Sequence, residues 1–298
     1  MMQNNKKKLP LLVGALLLSM ALLASGLVAC KDNTQKPEMS DKERIMSLME
    51  KSFFFEAAPE DLYFGEAIEE SFTDQEVTLK YLGAFSDGEG IYLFVDIIDQ
   101  AGIFFGEKDT PYNASINEYD FFEKAGYTDS RVYDVLDYNT EENTVTVCFE
   151  YIGLLEEDNI SFHIYSMGGD VSGTRPALTG DWEIKFAITD SLVKTLEANK
   201  SLTYNGYDFL VKRAVISPVK ITLFAAREDV PDEIMGIQPK DLDIKLVYEN
   251  GESLGILGDS GYAHVNQKGY MFRIIHTAKD YQDIVGLEVD GVVFPVAE

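Results

Sequence analysis

The chain has 298 residues, with 51 acidic and 25 basic side chains and a formal net charge of −26 at pH 7. Its hydrophobic content of 46% and aromatic content of 12% are too high for a disordered protein. The excess of acid argues against a nucleic-acid partner, because phosphate binding needs clustered cations. With two cysteines, the composition also excludes a disulfide framework and a cysteine-rich zinc site.

Residues 1–29 have the pattern of a secretory signal peptide. Three lysines at 6–8 precede an apolar run from Leu9 to about Ala24, and small residues follow. The run is almost long enough to cross a bilayer, so an uncleaved membrane helix is the alternative interpretation.

Directly after this run, Leu27, Val28, Ala29 and Cys30 resemble the lipobox of bacterial lipoproteins. In that family the signal peptidase cuts before the cysteine, whose sulfur carries diacylglycerol and becomes the new N-terminus. The resemblance implies that Cys30 is lipidated and holds the protein on the extracytoplasmic face of the cell membrane, since each buried CH₂ contributes about 0.8 kcal/mol. Cys148 then remains as the one free thiol, without a partner for an intramolecular disulfide.

Residues 30–39 are polar and lack an apolar period, which predicts a tether. An amphipathic helix is predicted over residues 40–56, because Ser40 and Glu43 fit a capping box at its start. The apolar stripe of this helix is expected to pack on the first folded domain, and binding of a partner is the alternative. Its members recur at helical spacing: Ile45, Leu48, Met49 and Phe53. The aromatic triplet at 53–55 is expected to anchor a core.

Beyond about residue 67 the hydrophobic period changes from 3.6 to 2, which is typical of sheets with one buried face. Residues 91–98 are apolar on both faces, as expected of a central strand. The chain is therefore predicted to be mainly β, with two immunoglobulin-like β-sandwich domains in tandem over residues 60–192 and 200–298. Many short strands favour this architecture over a parallel α/β sheet.

Turn residues separate the predicted strands. Hairpin signals are present at Asp87-Gly88, Asn205-Gly206, Asn250-Gly251 and Asp290-Gly291, and Ser217-Pro218 marks an edge or a bulge. Residues 119–126 are predicted to add one helical turn.

Several of these segments resemble an uncharacterised domain of Gram-positive bacteria. The residues that carry the resemblance are SFTDQEVTL at 71–79 with the Asp87-Gly88 turn, GDWEIKF at 180–186, and Ile216-Ser217-Pro218. This family often forms the ectodomain of membrane-bound anti-sigma factors and is thought to be immunoglobulin-like. The resemblance implies the same fold and an extracytoplasmic location. Because few residues precede the apolar run, the chain is expected to lack a cytoplasmic sigma-binding segment.

The histidines do not have the spacing of a zinc site, so we expect neither a metal nor a cofactor. His163 is predicted to share the solvent face of a strand with Ser161 and Tyr165, His264 to lie in a glycine-rich loop, and His276 to end a strand. Cys148 is predicted to be structural, although a pair with His163 is the arrangement that nucleophilic catalysis would need. A G-x-S-x-G elbow is missing as well.

Two loops have features of binding sites. The longest insertion of the first domain, residues 102–138, is predicted to form a binding surface through four tyrosines: Tyr112, Tyr119, Tyr127 and Tyr133. Acidic residues at 156–159 are a weaker calcium candidate, because the spacing of a known calcium loop is absent. The glycine-rich residues 167–173 are interpreted as a loop between strands.

These observations favour a lipid-anchored extracytoplasmic protein that binds a ligand or senses the envelope without catalysis. Its expected partners are the membrane, through the lipid on Cys30, and an envelope protein or glycan. The alternative is an extracytoplasmic enzyme acting on cell-wall glycan or peptide, which needs convergent carboxylates or a Cys148–His163 pair. A calcium-stabilised scaffold is a third hypothesis.

Overall fold

The structure is a computed structural model, and it describes residues 40–55, 62–88, 90–104, 115–121, 131–152, 159–169, 177–188, 193–204, 206–230, 242–256, 261–265, 269–275 and 280–297. In these residues the protein is mainly β, as predicted, with one α-helix and several sheets whose strands all pair antiparallel. The predicted signal peptide (1–29) and tether (30–39) lie outside the described residues.

The helix α1 (Asp41–Met49) begins with the predicted capping box. The Ser40 hydroxyl accepts a hydrogen bond from the Glu43 amide, and the Glu43 carboxylate accepts one from the Ser40 amide at 2.9 Å. The helix ends earlier than predicted. The Ser52 hydroxyl accepts a hydrogen bond from the Phe54 amide at 3.2 Å, a local bond that competes with helical pairing.

The first nine strands form two sheets. Their bounds are β1 (Glu66–Ala67), β2 (Ser71–Asp74), β3 (Val77–Ser86), β4 (Gly90–Asp99), β5 (Ile116–Asp120), β6 (Arg131–Asn139), β7 (Thr144–Ile152), β8 (Asn159–Met167) and β9 (Leu178–Ala187). The five-stranded sheet has the order β2-β3-β4-β7-β6, with β4 at its centre as predicted. The four-stranded sheet has the order β1-β9-β8-β5.

These two sheets pack face to face around one hydrophobic core, as in a β-sandwich. Alternate residues of each strand point into it, including Val147 and Phe149 from one sheet and Phe162 and Trp182 from the other. The Trp182 ring is completely buried, and its Nε1 donates to the carbonyl oxygen of Asp74 at 3.0 Å. A period of 2 therefore correctly predicted which residues form this core.

The remaining strands form a second pair of sheets. Their bounds are β10 (Lys194–Leu196), β11 (Lys200–Tyr204), β12 (Tyr207–Ile216), β13 (Lys220–Ala226), β14 (Ile244–Tyr248), β15 (Ser253–Ile256), β16 (Gly261–Val265), β17 (Gly269–Ile275), β18 (Ile284–Val289) and β19 (Val292–Pro295). One sheet has the order β10-β12-β13-β17-β16, with β11 also paired to β12, and the other has the order β15-β14-β18-β19. A second hydrophobic core lies between them.

Most of the predicted turns join neighbouring strands, but two local predictions were wrong. Tyr119 and Asp120 are in strand β5, where they pair with β8, and not in a helical turn. His264 lies in strand β16, where it pairs with Met271 of strand β17, and not in a glycine-rich loop. In both places, pairing with a distant strand decides the backbone conformation, and local sequence does not contain that information.

Candidate functional site

Four polar side chains meet on the outer side of the four-stranded sheet, the side that faces away from the core. Strand β8 contributes Ser161 and His163, and strand β9 contributes Asp181 and Glu183. The residues between them in sequence point into the core, so these four must point outward. We call these four residues the outer-face cluster.

His163 is at the centre of the outer-face cluster, and both of its ring nitrogens have partners. Nδ1 lies 2.9 Å from Asp181 Oδ1, and Nε2 lies 3.1 Å from Ser161 Oγ. The Ser161 hydroxyl in turn donates to Glu183 Oε1 at 2.5 Å, and that oxygen is also 3.4 Å from Nε2. The imidazole stacks on the Tyr165 ring, with 5.6 Å between centroids and 10° between planes.

A local irregularity of the sheet contains Asp181. Ile164 of β8 pairs with Trp182, but Ser166 pairs with Thr179, so the register shifts beside the cluster. Such bulges redirect side chains. Gly180 leaves room here for neighbouring side chains, because a Cβ at this position would be 2.6 Å from the Trp182 ring.

The charges in the outer-face cluster stabilise one another. The pKa of Glu183 lies below its ordinary value, first because Ser161 donates a hydrogen bond to its carboxylate and second because Lys185 Nζ lies 2.9 Å away. Burial opposes this shift but does not reverse it, and Glu183 is therefore ionised at neutral pH.

The order of contacts, from serine to histidine to aspartate, is that of a serine hydrolase. The position of one proton distinguishes the outer-face cluster from the active site of such an enzyme. A nucleophilic serine gives its hydroxyl proton to the histidine, whereas Ser161 donates its proton to Glu183. The local sequence lacks the G-x-S-x-G signature of such enzymes, and the cluster is visible in sequence only if β8 and β9 are known to pair.

His163 was predicted on the same face as Ser161 and Tyr165, which is confirmed, but its predicted exposure to solvent was wrong. The residue is only 6% exposed, because its neighbours on β8 and β9 enclose the ring. The side chain of His264 and all of His276 lie outside what the structure describes.

The predicted tyrosine surface is not supported at Tyr119. This residue is 3% exposed and packs against Phe149, at 4.8 Å between ring centroids, inside the first core. Its position on β5 turns it inward. Tyr133 is partly buried against the same core, and its hydroxyl accepts a hydrogen bond from the Ile116 amide at 3.1 Å. Tyr112 and Tyr127 lie outside the described residues.

The structure does not bring Cys148 and His163 together. Cys148 points to the outer side of the five-stranded sheet, where it packs beneath helix α1, while His163 points to the outer side of the opposite sheet. Two packed sheets are about 10 Å apart, which exceeds the reach of a hydrogen bond. Burial raises the pKa of the Cys148 thiol well above its ordinary value, and the charges of Glu150 and Asp134 add to that effect.

A second polar group is buried where strand β13 meets the five-stranded sheet. Lys220 Nζ lies 2.8 Å from Glu150 Oε1, and both side chains are almost inaccessible to solvent. The Tyr92 hydroxyl is 2.8 Å from the same carboxylate and 3.0 Å from Asp87 Oδ2. The ammonium also lies 4.8 Å from the centroid of the Tyr92 ring. This group links the two pairs of sheets, and sequence analysis did not identify it.

Leu27, Val28, Ala29 and Cys30 lie outside the described residues, as do 156–158 of the calcium candidate. Across the part of the chain that the structure describes, no three His, Cys, Asp or Glu side chains are arranged to hold a metal ion. In the same residues, no helix has the length and apolar character needed to cross a bilayer.

No protein-family model matches the chain, and no curated protein matches it. Among solved structures, it is similar to the crystal structure of the conserved domain protein from Bacillus anthracis, with 12% sequence identity, 76% of each chain covered and a TM-score of 0.46.

Proposed function

We propose that the protein is a lipid-anchored binding or envelope-sensing protein on the extracytoplasmic face of the cell membrane, built from two immunoglobulin-like domains. The observation that carries this proposal is the sequence Leu27-Val28-Ala29-Cys30 directly after an apolar run. Acyl chains on Cys30 would hold the protein on the membrane, and residues 30–39 would form the tether.

The start of the folded body supports such an attachment. Helix α1 begins at Asp41, eleven residues after Cys30, and the Arg44 guanidinium forms a bidentate pair with Asp96 of strand β4, at 2.5 and 2.9 Å. Arg44 also donates to the Thr146 hydroxyl of strand β7 at 2.7 Å. Helix α1 is thus fixed to the five-stranded sheet, and a tether over residues 30–39 would hold the whole first domain.

We assign the binding role to the outer side of the four-stranded sheet. The outer-face cluster there combines carboxylates, a hydroxyl and an imidazole with the Tyr165 ring, and these groups suit hydrogen bonding to an envelope protein or a glycan. Asp181 is the most accessible of the carboxylates, since 67% of its side chain is exposed.

Crosslinking in intact cells tests this assignment. The wild-type chain, Asp181→Lys and the matched control Glu252→Lys, which changes an exposed residue of the β14–β15 turn, are each captured after crosslinking. We expect the wild type and Glu252→Lys to retain the same partner and Asp181→Lys to lose it. Equal capture by all three would contradict the assignment of this face.

A second candidate is an extracytoplasmic enzyme acting on glycan or peptide. Its Cys148–His163 form is excluded by the positions of those residues on opposite sheets. The contacts of Ser161, His163 and Asp181 follow the order of a serine hydrolase, which would have to move the Ser161 proton from Glu183 to His163. A fluorophosphonate probe that labels the wild type and not Ser161→Ala would support this candidate. Absence of labelling in both would count against it.

A further inference from the structure

We propose that the outer-face cluster is a proton-operated switch, closed when His163 carries two ring protons and open when it loses one. The proposal concerns how this face responds to pH, and it does not depend on lipid attachment or on the identity of a partner.

The hydrogen bonds of the outer-face cluster require a proton on each ring nitrogen of His163. Ser161 has one hydroxyl proton, and it is donated to Glu183. The 3.1 Å contact between Ser161 Oγ and His163 Nε2 then needs a proton on Nε2. Asp181 Oδ1 is an acceptor, so the 2.9 Å contact with Nδ1 needs a proton there too. All three bonds exist together only when the ring is an imidazolium.

The surrounding charges favour the doubly protonated ring. Strand β9 places Asp181 and Glu183 beside the two ring nitrogens and Lys185 next to Glu183. Strand β5 places Asp120 directly opposite His163, and strand β8 contributes Ser161 and Tyr165. Three carboxylates therefore face two cations when the switch is closed, and an imidazolium is attracted by nearby carboxylates.

Loss of the proton opens the network. A neutral ring keeps one N–H, so either the Asp181 bond or the Nε2–Ser161 bond is lost unless Ser161 turns its proton away from Glu183. In each case the network loses one hydrogen bond: the Asp181 and Glu183 bonds join β8 to β9, and the Nε2–Ser161 bond lies within β8. The face is then left with three carboxylates and one cation, and it becomes more acidic. Histidine is the side chain suited to this change, because it ordinarily titrates between pH 5 and 8.

NMR of the ring nitrogens gives a direct test. The full chain, in detergent micelles and labelled with ¹⁵N-histidine, is followed from acidic to basic pH, and His163→Gln identifies the His163 signals. We expect two protonated nitrogens in the acidic range and one at higher pH. In Glu183→Gln the change should occur at lower pH, while Glu252→Gln should match the wild type. A neutral ring at every pH at which the protein is folded would overturn the proposal, as would a Glu183→Gln titration identical to the wild type.

Thermal unfolding provides a second readout, which needs no assignment of NMR signals. The wild type should have a higher Tm than Glu183→Gln, and this difference in Tm should be largest at acidic pH, where the switch is closed. It should narrow as the pH rises, because the His163–Ser161–Glu183 network then loses a hydrogen bond in the wild type. A difference in Tm that stays constant with pH would contradict the switch. Labelling of Ser161 by a fluorophosphonate at acidic pH, where the switch is closed, would also overturn it, because that reaction requires a neutral ring that accepts the hydroxyl proton.

Discussion

Lys220 Nζ and Glu150 Oε1 are 2.8 Å apart in a site from which solvent is almost fully excluded, and they join strand β13 of the second pair of sheets to strand β7 of the first. A buried charge without its partner is strongly unfavourable. The ion pair therefore couples the first pair of sheets to the second.

Lys220→Met should destabilise the protein by about 3–5 kcal/mol, because it leaves the Glu150 carboxylate buried and unneutralised. The free energy of unfolding, measured by chemical denaturation, checks this value. The double variant Lys220→Met/Glu150→Leu should lose less than the two single variants together.

The matched control for that experiment is Lys245→Met. Lys245 forms a similar contact with Glu288 at 2.9 Å, but on an accessible surface, where ion pairs contribute little. If Lys220→Met were no more destabilising than Lys245→Met, the interface would not depend on the buried pair.

The attachment of helix α1 gives a second prediction. Arg44→Met removes the bidentate pair with Asp96 and the bond to Thr146, and it should cost about 1.5–3 kcal/mol of unfolding free energy, the range for hydrogen bonds to charged groups. Lys42→Met, on the exposed side of the same helix, serves as the control and should change stability little. Similar losses in the two variants would show that the pair does not hold the helix.

The pKa of Glu183 gives a third prediction, about pH. Because Ser161 is the main cause of its lowered pKa, Ser161→Ala should raise that pKa toward its ordinary value, as measured by ¹³C NMR of the carboxyl carbon. A lowered pKa contributes stability above the unfolded-state value, and this contribution is lost as the pH falls through the folded-state value. The stability advantage of the wild type at neutral pH should therefore diminish in strong acid. An unchanged Glu183 titration in Ser161→Ala would contradict the hydrogen-bond assignment.

The reactivity of Cys148 is a fourth prediction. Since burial raises the pKa of its thiol, little thiolate is present at neutral pH, and thiolate is the form that reacts. We expect iodoacetamide to modify Cys148 very slowly in the folded protein and rapidly in denaturant, as followed by mass spectrometry. Fast modification of the folded protein would instead indicate an accessible, activated thiol.

The sequence was informative where local pattern decides the structure. The capping box at Ser40 and Glu43 correctly placed the start of helix α1, and alternation correctly assigned Trp182 and Phe149 to the core. The apolar residues on both faces of strand β4 marked a central strand, because helix α1 covers one face and the other sheet covers the second. These signals depend on neighbouring residues and need no knowledge of which strands pair.

Long-range pairing explains what the sequence did not reveal. Tyr119 was expected on a surface, but strand β8 holds it inside the core. His163 was expected in solvent, but Asp181 and Glu183 of strand β9 enclose it. Lys220 is buried because Glu150, seventy residues away, neutralises it. No local pattern predicts such partners, so most of the candidate site became visible only in the folded chain.

The most direct test of the proposed function is the mass of the N-terminal peptide of the protein isolated from cell membranes. Lipid anchoring predicts a first residue Cys30 that carries diacylglycerol, and Cys30→Ala should abolish both the modification and membrane retention. An N-terminal peptide that still contains residues 1–29, or a Cys30 without lipid, would contradict the proposal.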